Sequence, residues 1–287
     1  PDVGTNSQIM DWMADEYSKI VGHWEQAAFT GKSVEKGGSQ GREVATGFGG
    51  YVVLREFLSQ NNEVSLASLK LREAKLTSLP TIAIQGFGNV GANIARILFE
   101  KGFKIVAISD SKGALYEPDG INIPQVMEVK AKTGIIDRGT CFALTPHTGP
   151  CQTFSNEDLF TLPVDILIPA ALEDQITAAN ADKIRARVIL EMANGPTSAD
   201  GEAILTRREV EVIPDILANS GGVVGSYFEW LQSLDQKYWS EAEVLAKIDD
   251  KLIEAFAAVR AKKEEYRTTW RMASYIRALE RVAAALK

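Results

Sequence analysis

A glycine-rich turn between two apolar segments carries the clearest chemical signal in this sequence. Thr81 to Gln85 is apolar and β-favouring, and it runs into a Gly-x-Gly-x-x-Gly pattern followed by apolar residues at helical spacing. Such a unit binds phosphate because free backbone N–H groups and the positive end of the helix dipole point at the anion. The residues that we expect to contact a dinucleotide here are Gly86, Phe87, Gly88, Asn89, Val90 and Gly91.

An acidic residue ends the next predicted strand and is placed to contact a nucleotide ribose. The second β-favouring segment covers 104–110, and its last residue, Asp110, lies 19 residues beyond the third glycine. The Asp110 carboxylate binds a free ribose 2′-hydroxyl and repels a 2′-phosphate, so the sequence favours NAD over NADP. Ser111 belongs to the same predicted site, and Ser109, Ser111 and Lys112 are able to donate to a 2′-phosphate. NADP is therefore the alternative coenzyme, and a glycine turn with only a structural role is the alternative to nucleotide binding.

Further strand and helix signals surround this unit and indicate an α/β fold. Short apolar segments of strand length alternate with segments of helical periodicity. That alternation predicts a doubly wound, Rossmann-type and mostly parallel sheet with helices on both faces, followed by C-terminal helices. The predicted strands are 81–85, 104–110, 164–168, 188–190 and 210–213, and the predicted helices are 7–21, 42–60, 92–98, 123–132, 241–266 and 272–282, with a loop over 113–120.

The carboxyl ends of the predicted strands deliver small and amide-bearing side chains to one place. Ligands of open α/β sheets bind beyond these ends, and the sequence places Ala170, Ala171, Asn194 and Asn219 there. We therefore expect one crevice, lined by these residues and by the glycine turn. The chain divides into an N-terminal linking segment over 1–40, a dinucleotide-binding domain over 41–235, and C-terminal helices over 236–287 that pack back on that domain.

Composition narrows the classes of protein to which the chain can belong. The 287 residues carry a formal net charge of −7, which argues against a nucleic-acid-binding surface because such surfaces need clustered cations. No apolar run of about 18 residues is present, so we expect no membrane span. Cys141 and Cys151 are interpreted as reduced thiols of a cytoplasmic protein, with a loop disulfide as the alternative. With two histidines and no clustered Cys/His spacing, no metal site is predicted.

Six ordered motifs resemble the glutamate dehydrogenases, within the wider family of glutamate, leucine, phenylalanine and valine dehydrogenases. They are PDVGTN (1–6), GGSQGREVATG (37–47), QGFGNVG (85–91), IPAA (168–171), ANGPT (193–197) and NSGGVVGSY (219–227). The resemblance covers essentially the whole chain. It implies reversible oxidative deamination of an L-amino acid, most often L-glutamate, to a 2-oxo acid and ammonia with NAD or NADP.

The resemblance also implies a larger assembly and a further domain. The intact enzymes of this family are homohexamers, and an amino-terminal substrate domain that is not in this chain supplies their essential lysines. Because the chain starts without Met, we expect it to be an excised part of a longer protein. We further expect this part to bind a dinucleotide without turning over glutamate.

The resemblance assigns roles to individual residues. Asp2 matches the acid that transfers protons around the imine and ammonia steps, which suits a carboxylate beside a lysine. Arg42 and Thr46 match residues at the nicotinamide end of the cleft, and their spacing of four places them on one face of a helix. The other matches are Asn194 and Asn219 near the nicotinamide ribose and the reacting substrate, Val223 against the aliphatic part of the substrate, and Ser226 bonded to the distal carboxylate of glutamate.

Other interpretations stay open at this point. Asp2 is able to cap a helix, Arg42 to face water, and Ser226 to lie at a helix start. A non-catalytic nucleotide-binding or regulatory relative is the second hypothesis for the whole chain. An alanine or 2-hydroxy-acid dehydrogenase is a third, weaker one, because neither histidine lies in a setting typical of an acid–base residue. Gly225 stands where Val or Ala is more typical of the family, which predicts a looser substrate pocket.

Overall fold

A seven-stranded sheet forms the centre of the structure, a computed structural model that describes residues 4–59, 80–140, 142–144 and 151–286. In chain order the strands are β1 (Thr81–Gln85), β2 (Lys104–Asp110), β3 (Gly113–Tyr116), β4 (Gln152–Phe154), β5 (Ile166–Pro169), β6 (Val188–Leu190) and β7 (Glu211–Ile213). Their order across the sheet is β4-β3-β2-β1-β5-β6-β7. The five strands from β2 to β7 in this order are parallel, and β3 and β4 are antiparallel at one edge. The predicted mostly parallel α/β sheet is confirmed.

Helices cover both faces of the sheet. In chain order they are α1 (Ser7–Val21), α2 (Ala45–Ser59), α3 (Asn89–Glu100), α4 (Ile123–Thr133), α5 (Asn156–Leu159), α6 (Ala199–Arg207), α7 (Asp215–Ala218), α8 (Gly221–Asp235), α9 (Glu241–Tyr266) and α10 (Trp270–Ala285), with 3₁₀ turns at Gln26–Ala28, Val34–Lys36 and Ala181–Lys183. Ile82 and Ile84 of β1 belong to the core that contains Val52 of α2, and Ala83 belongs to the core that contains Leu205 of α6. Burial on both faces explains the continuous apolar sequence of the parallel strands.

The strand order creates a crevice at the carboxyl end of β1. The chain runs from β1 through α3 to β2 on one side, and the strands that follow β4 continue on the other side, beginning with β5. The connections therefore diverge at β1, which is the topological switch point where open α/β sheets bind their ligands. The glycine turn lies at this point because it directly follows β1.

The C-terminal helices share a core with the sheet domain. A capping box between Ser240 and Glu243 starts α9, since each side chain bonds the other residue's backbone N–H. From there Val244, Ile248 and Leu252 recur at helical spacing and are buried in the same core as the residues of α2. Burial of this stripe attaches α9 to the sheet domain.

Two elements differ from the prediction. The segment predicted as a loop over 113–120 contains β3 at Gly113–Tyr116, which pairs with β2 and, on its other side, with β4. Gly113, with a φ of +130°, is the first residue of this strand. Because glycine at such a φ is typical of turns, the sequence pattern indicated a loop here. The helix predicted from residue 42 begins at Ala45, because residues 41–44 form turns.

The cysteine interpretation also needs correction. Cys151 is buried and disulfide-bonded, so its interpretation as a reduced thiol is wrong. A sequence does not contain the distance between two sulfur atoms, which decides whether they pair. Cys141 lies outside the described residues, as do His147 and Asp2. Within the described ranges, none of the helices is long and apolar enough to span a membrane.

Candidate functional site

The glycine turn that joins β1 to α3 is tightly packed at its first and third glycines. Gly86 has a φ of +87°, and a Cβ there would lie 2.8 Å from the carbonyl oxygen of Ala170, directly after β5. A Cβ at Gly91 would lie 1.9 Å from the Gly86 oxygen, so both positions require glycine. A Cβ at Gly88, by contrast, would meet none of the described residues within 4 Å. The first and third glycines shape the turn, and the second leaves open space in front of it.

The start of α3 is free to bind an anion. Gly88 is its N-cap residue, and no side chain in the described part of the chain caps it. The first backbone N–H groups of a helix have no intrahelical partner, and they carry the positive end of the helix dipole. Phe87 is buried under the turn, Val90 packs on the main core, and Asn89 accepts a 2.6 Å bond from Asn93. The open space at Gly88 is therefore faced by backbone donors, which fits a pyrophosphate.

Asp110 ends β2 beside this turn, but its carboxylate is already bonded. Oδ1 accepts from the Lys112 N–H at 2.8 Å and from the Arg138 guanidinium, and Oδ2 accepts from the Ile136 N–H at 2.9 Å. Burial raises the pKa of Asp110, but these hydrogen bonds outweigh burial and lower the pKa below the ordinary 3.8. Asp110 is therefore ionised and held by its own chain.

The other polar groups of this corner differ in their accessibility. Ser111 is exposed, whereas Ser109 is buried and accepts a 3.3 Å bond from the Gly86 N–H. Ser109 is therefore not available to a phosphate, contrary to the prediction. Lys130 of α4 donates to the Phe87 carbonyl oxygen, and its ammonium lies 5.4 Å from the centre of the Phe87 ring. The glycine turn thus has a cation beside it that the sequence analysis did not identify.

The two predicted asparagines meet across the strand ends. Asn219 follows α7 and donates from Nδ2 to Asn194 Oδ1, which lies beyond β6, at 2.7 Å. The adjacent Gly195 has a φ of +54°, and its N–H donates to Asp215 at 2.8 Å. The turn after β6 is thus bonded to the segment that contains α7 and Asn219. Side-chain amides of this kind are able both to donate to a ligand and to accept from it.

Two helices meet backbone to backbone beside the asparagines. A Cβ on Gly49 of α2 would lie 2.7 Å from the Gly221 Cα of α8, so side chains are excluded from this contact. A Cβ on Gly222 would lie 2.5 Å from the Thr46 Oγ1 atom. The close approach of the two helices therefore places the Thr46 hydroxyl against the first turn of α8.

Arg42 lies in the turn before α2 and reaches the same helix. A Cβ on Gly225 would lie 3.4 Å from the Arg42 Cδ atom and 3.0 Å from the Ala45 Cβ atom. Gly225 therefore makes room for Arg42 and Ala45, and the looser substrate pocket stays a prediction. Burial lowers the pKa of Arg42 more than the nearby Glu229 carboxylate raises it. Its buried Nε has no hydrogen-bond partner among the described residues.

The hydroxyl of Ser226 is oriented by a neighbour from the N-terminal segment. Ser226 Oγ and Thr30 Oγ1 lie 2.5 Å apart, so one of them donates to the other. Val223, one turn earlier on α8, exposes 68% of its surface on the same helix. Thr30 therefore fixes the position of the Ser226 hydroxyl. According to the resemblance, this hydroxyl bonds the distal carboxylate of glutamate.

A buried ion pair fixes the Thr30 loop to α8. Lys32 Nζ lies 2.9 Å from Glu229 Oε1, and both side chains are completely buried. Glu229 also accepts from the Gly31 N–H at 2.8 Å and from the Lys32 N–H at 3.3 Å. Because both charges are removed from water, the geometry must hold them together. This contact keeps Thr30 against Ser226.

Several residues of this site were missed by the sequence analysis. They are Thr30, Lys32, Lys130, Arg138 and Glu229. For Glu229 a signal exists in the sequence, because this charged residue stands between the apolar residues Phe228 and Trp230. Thr30, Lys32 and Arg138 lie in irregular segments where periodicity carries no information.

Comparison with protein-family models matches residues 37–287 to the family described as Glutamate/Leucine/Phenylalanine/Valine dehydrogenase. An NADP-specific glutamate dehydrogenase of Synechocystis sp. is 42% identical over 100% of this chain and 64% of the relative. The catabolic NAD-specific glutamate dehydrogenase RocG of Bacillus subtilis is 39% identical over 99% of this chain and 62% of the relative. The chain therefore spans slightly less than two thirds of the length of these curated relatives.

Solved structures agree with this match. The hetero-hexameric glutamate dehydrogenase of Thermus thermophilus, in its leucine-bound form, superposes with a TM-score of 0.84 and 31% identity over 99% of this chain and 62% of the other. Glutamate dehydrogenase of Peptoniphilus asaccharolyticus superposes with a TM-score of 0.77 and 37% identity over 100% and 63%. The fold predicted from the sequence is thus shared with known dehydrogenases.

Proposed function

Because the chain belongs to the Glutamate/Leucine/Phenylalanine/Valine dehydrogenase family, we propose that it supplies the coenzyme-binding part of an amino-acid dehydrogenase. The proposed reaction is the reversible oxidative deamination of L-glutamate to 2-oxoglutarate and ammonia with NAD or NADP. Relatives described as NAD-specific and as NADP-specific glutamate dehydrogenases support the reaction and leave both coenzymes possible.

The open glycine turn is the observation that carries this proposal. A Cβ at Gly88 would fill space that no residue of the described ranges occupies within 4 Å, and the uncapped start of α3 faces it. Asn194 and Asn219 are joined to each other at the ends of neighbouring strand connections. A dinucleotide lying across the switch point would place its pyrophosphate at the turn and its nicotinamide toward these amides.

Each part of the site has a proposed task toward the reactants. A bound nicotinamide coenzyme supplies the acceptor for the hydride that leaves the amino acid. The N–H groups of α3 hold the pyrophosphate, and Asn194, Asn219 and Thr46 orient the reacting end. Asp2, which we propose for proton transfer from the resemblance, lies outside the described residues. The chain's own residues thus bind and orient, and the proposed proton transfer falls to this one carboxylate.

The proposed preference for glutamate depends on α8. Ser226 is held by Thr30, so its hydroxyl is fixed for hydrogen bonding to a distal carboxylate. Arg42 adds a partly buried positive charge nearby, with its Nε unpaired in the described part of the chain. A carboxylate side chain complements both groups, whereas an aliphatic side chain would leave the buried Arg42 Nε without a partner, at a cost of about 1–3 kcal/mol.

The proposal extends to the organisation of the whole protein. We retain 1–40 as a linking segment, 41–235 as the dinucleotide-binding domain and 236–287 as helices packed on it, supported by the core shared between α2 and α9. A hexamer is supported by the hetero-hexameric relative of Thermus thermophilus. The cytoplasmic location stays a prediction from the sequence.

Binding and turnover test the proposal separately. Calorimetric titration of this chain with NAD and with NADP is expected to show saturable binding of at least one. In the natural protein that contains this chain, reduced coenzyme is expected to appear with L-glutamate and not with L-leucine or L-valine. Ser226→Ala is expected to raise the KM for glutamate about tenfold, the loss of one hydrogen bond to a charged group, with the KM for coenzyme unchanged.

Two outcomes would contradict the proposal. If neither coenzyme binds to the chain, the nucleotide site is refuted. If Ser226→Ala leaves the KM for glutamate unchanged, the placement of the distal carboxylate is refuted, whatever the coenzyme result. Ser220→Ala is a suitable control, because it removes a hydroxyl from the same region, and among the described residues this hydroxyl bonds only the Leu217 carbonyl oxygen, at 2.7 Å.

A further inference from the structure

Asp110, the residue that would exclude NADP, is neutralised by its own chain. Arg138 donates from Nη2 to Asp110 Oδ1 and to the Gly113 carbonyl oxygen at 2.6 Å, and from Nη1 to the Ile136 carbonyl oxygen at 2.9 Å. The Arg138 side chain is 19% exposed and that of Asp110 is 10% exposed, so water screens the pair weakly. The charge that repels a 2′-phosphate is therefore compensated within the protein.

Most hydrogen-bond acceptor positions of the Asp110 carboxylate are also occupied. An ionised carboxylate offers about four acceptor positions. Donors from Lys112, Arg138 and Ile136 occupy three of them, two on Oδ1 and one on Oδ2. One position on Oδ2 remains, so Asp110 is able to accept from one ribose hydroxyl but not to hold the 2′- and 3′-hydroxyls together. Asp110 therefore keeps one acceptor position for the ribose, which selects NAD less strongly than a carboxylate free to bind both hydroxyls.

Among the described residues, the charges around this corner are mainly positive. The Lys130 ammonium is held at the Phe87 carbonyl oxygen and is close enough for the Asp110 charge to raise its pKa, although burial lowers that pKa more. Lys112 is exposed on the turn between β2 and β3. Asp137, the acid next to Arg138, bonds the Gly139 N–H and the Thr140 hydroxyl of its own loop. A 2′-phosphate placed here meets two lysines and a neutralised aspartate.

We propose that Arg138 sets the coenzyme preference by neutralising Asp110, so that the chain binds NADP at least as tightly as NAD. This reverses the preference for NAD that the charge of Asp110 predicts from the sequence. The inference rests on the proposed coenzyme binding and adds the identity of the coenzyme and the residue that determines it. Arg138 acts on the ligand through Asp110, and it is therefore a positioning residue.

Small ligands isolate this corner from the rest of the coenzyme. Adenosine 5′-monophosphate and adenosine 2′,5′-bisphosphate differ only by the 2′-phosphate, and NAD and NADP differ in the same way. Each is titrated calorimetrically into the chain. The wild type is expected to bind the bisphosphate at least as tightly as the monophosphate. Arg138→Met is expected to weaken binding of the bisphosphate at least about tenfold, because an uncompensated carboxylate then faces the 2′-phosphate. Binding of the monophosphate is expected to weaken less than about threefold.

A double variant separates neutralisation from direct contact. Asp110→Asn combined with Arg138→Met removes both charges and leaves no buried carboxylate unpaired. If Arg138 acts through Asp110, this variant is expected to bind the bisphosphate within about threefold of the wild type. If Arg138→Met does not fold, as thermal unfolding would show, Asp110→Asn alone gives the comparison from the other side. That variant keeps Arg138 and is expected to bind the bisphosphate more tightly than the wild type.

The matched control removes a charge elsewhere on the same region. Lys132 lies on α4 near Lys130, but it is exposed and pairs with Glu128 at 2.7 Å. Lys132→Met is expected to leave the ratio of the two affinities unchanged, since exposed charges are screened by solvent and salt. A change in that ratio as large as that of Arg138→Met would overturn the assignment to Arg138.

The remaining outcomes distinguish this inference from the proposed function. If NAD binds and NADP binds at least tenfold more weakly to the wild type, the inference fails while coenzyme binding stands. Equal losses of affinity for the two adenosine ligands in Arg138→Met would also overturn the inference, because the effect would then not depend on the 2′-phosphate. If no dinucleotide binds to the wild type, the proposed function itself fails, and the inference fails with it.

Discussion

Substitution of Gly88 separates ligand binding from folding more cleanly than any other change in the glycine turn. Gly88 has a φ of −78°, which every L-residue adopts, and a Cβ would meet no atom within 4 Å in the part of the chain that the structure describes. Loss of glycine at an N-cap costs a few tenths of a kcal/mol to about 1 kcal/mol. Reduced freedom of the unfolded chain offsets about 0.4–1 kcal/mol of this. We therefore expect Gly88→Ala to change the free energy of unfolding by less than about 1 kcal/mol.

The effect of Gly88→Ala on the ligand follows from contact distances. A phosphate oxygen bonded to a backbone N–H lies about 2.9 Å from the nitrogen. A methyl carbon needs about 3.5 Å or more from neighbouring heavy atoms. The pyrophosphate must therefore move away from the turn and lose at least one hydrogen bond to a charged group, worth about 1.5–3 kcal/mol. The dissociation constant for NAD or NADP is expected to rise by between about tenfold and about a hundredfold.

Gly91→Ala is the matched control for this prediction. The same methyl at position 91 would lie 1.9 Å from the Gly86 oxygen, so the turn must shift and the protein is expected to lose about 3 kcal/mol or more of stability. Urea denaturation measures both stabilities, and calorimetry measures coenzyme binding to each variant that folds. Unchanged affinity in Gly88→Ala would refute the placement of the pyrophosphate. A stability loss in Gly88→Ala equal to that of Gly91→Ala would refute the open space in front of the turn.

Two further predictions concern charges. Lys32→Met leaves the Glu229 carboxylate buried without its cation, so the free energy of unfolding is expected to fall by about 3–5 kcal/mol, and adding Glu229→Gln is expected to recover part of this loss. Chemical denaturation of the single and double variants tests it, and a double variant less stable than the single one would contradict it. Asp110 has a pKa below 3.8 in the folded chain, so its carboxylate stabilises the fold above that pH, and this contribution is lost as the pH falls through the lowered pKa. The stability difference between wild type and Asp110→Asn is therefore expected to be constant near neutral pH and to shrink below pH 3.8, and a difference that grows on acidification would refute the lowered pKa.

Local pattern was sufficient where one element determines its own structure. The glycine turn needs only the run from Thr81 to Gly91, and α9 was predicted with the observed bounds because its apolar stripe repeats over 26 residues. The strand β3 was missed because its first residue, Gly113, is typical of a turn. The strand β4 was missed because Gln152 and Thr153 are polar and exposed, so no apolar run marks it, and its partner β3 lies far from it in the sequence.

The partners of the predicted site residues were the part that sequence reasoning could not supply. Asp110 was identified correctly as the acid at the end of β2. The sequence does not reveal that Arg138, 28 positions later, donates a hydrogen bond to its carboxylate. Ser226 was identified from the resemblance, whereas Thr30 was not, because their contact joins positions 196 residues apart. Such contacts depend on the packing of whole elements, which composition and spacing do not contain.

The separation between Lys32 and Glu229 has a consequence for the order of folding. The two residues lie 197 positions apart, so during synthesis Lys32 leaves the ribosome long before its counter-ion exists. The β1–α3–β2 unit, by contrast, closes within about thirty residues and forms from nearby chain. We therefore expect the nucleotide pocket to assemble early and the wall around Thr30 and Ser226 to close only after α8 has been synthesised. Nascent chains that end before Gly221 would already contain the glycine turn but would still lack the partner that anchors the N-terminal loop.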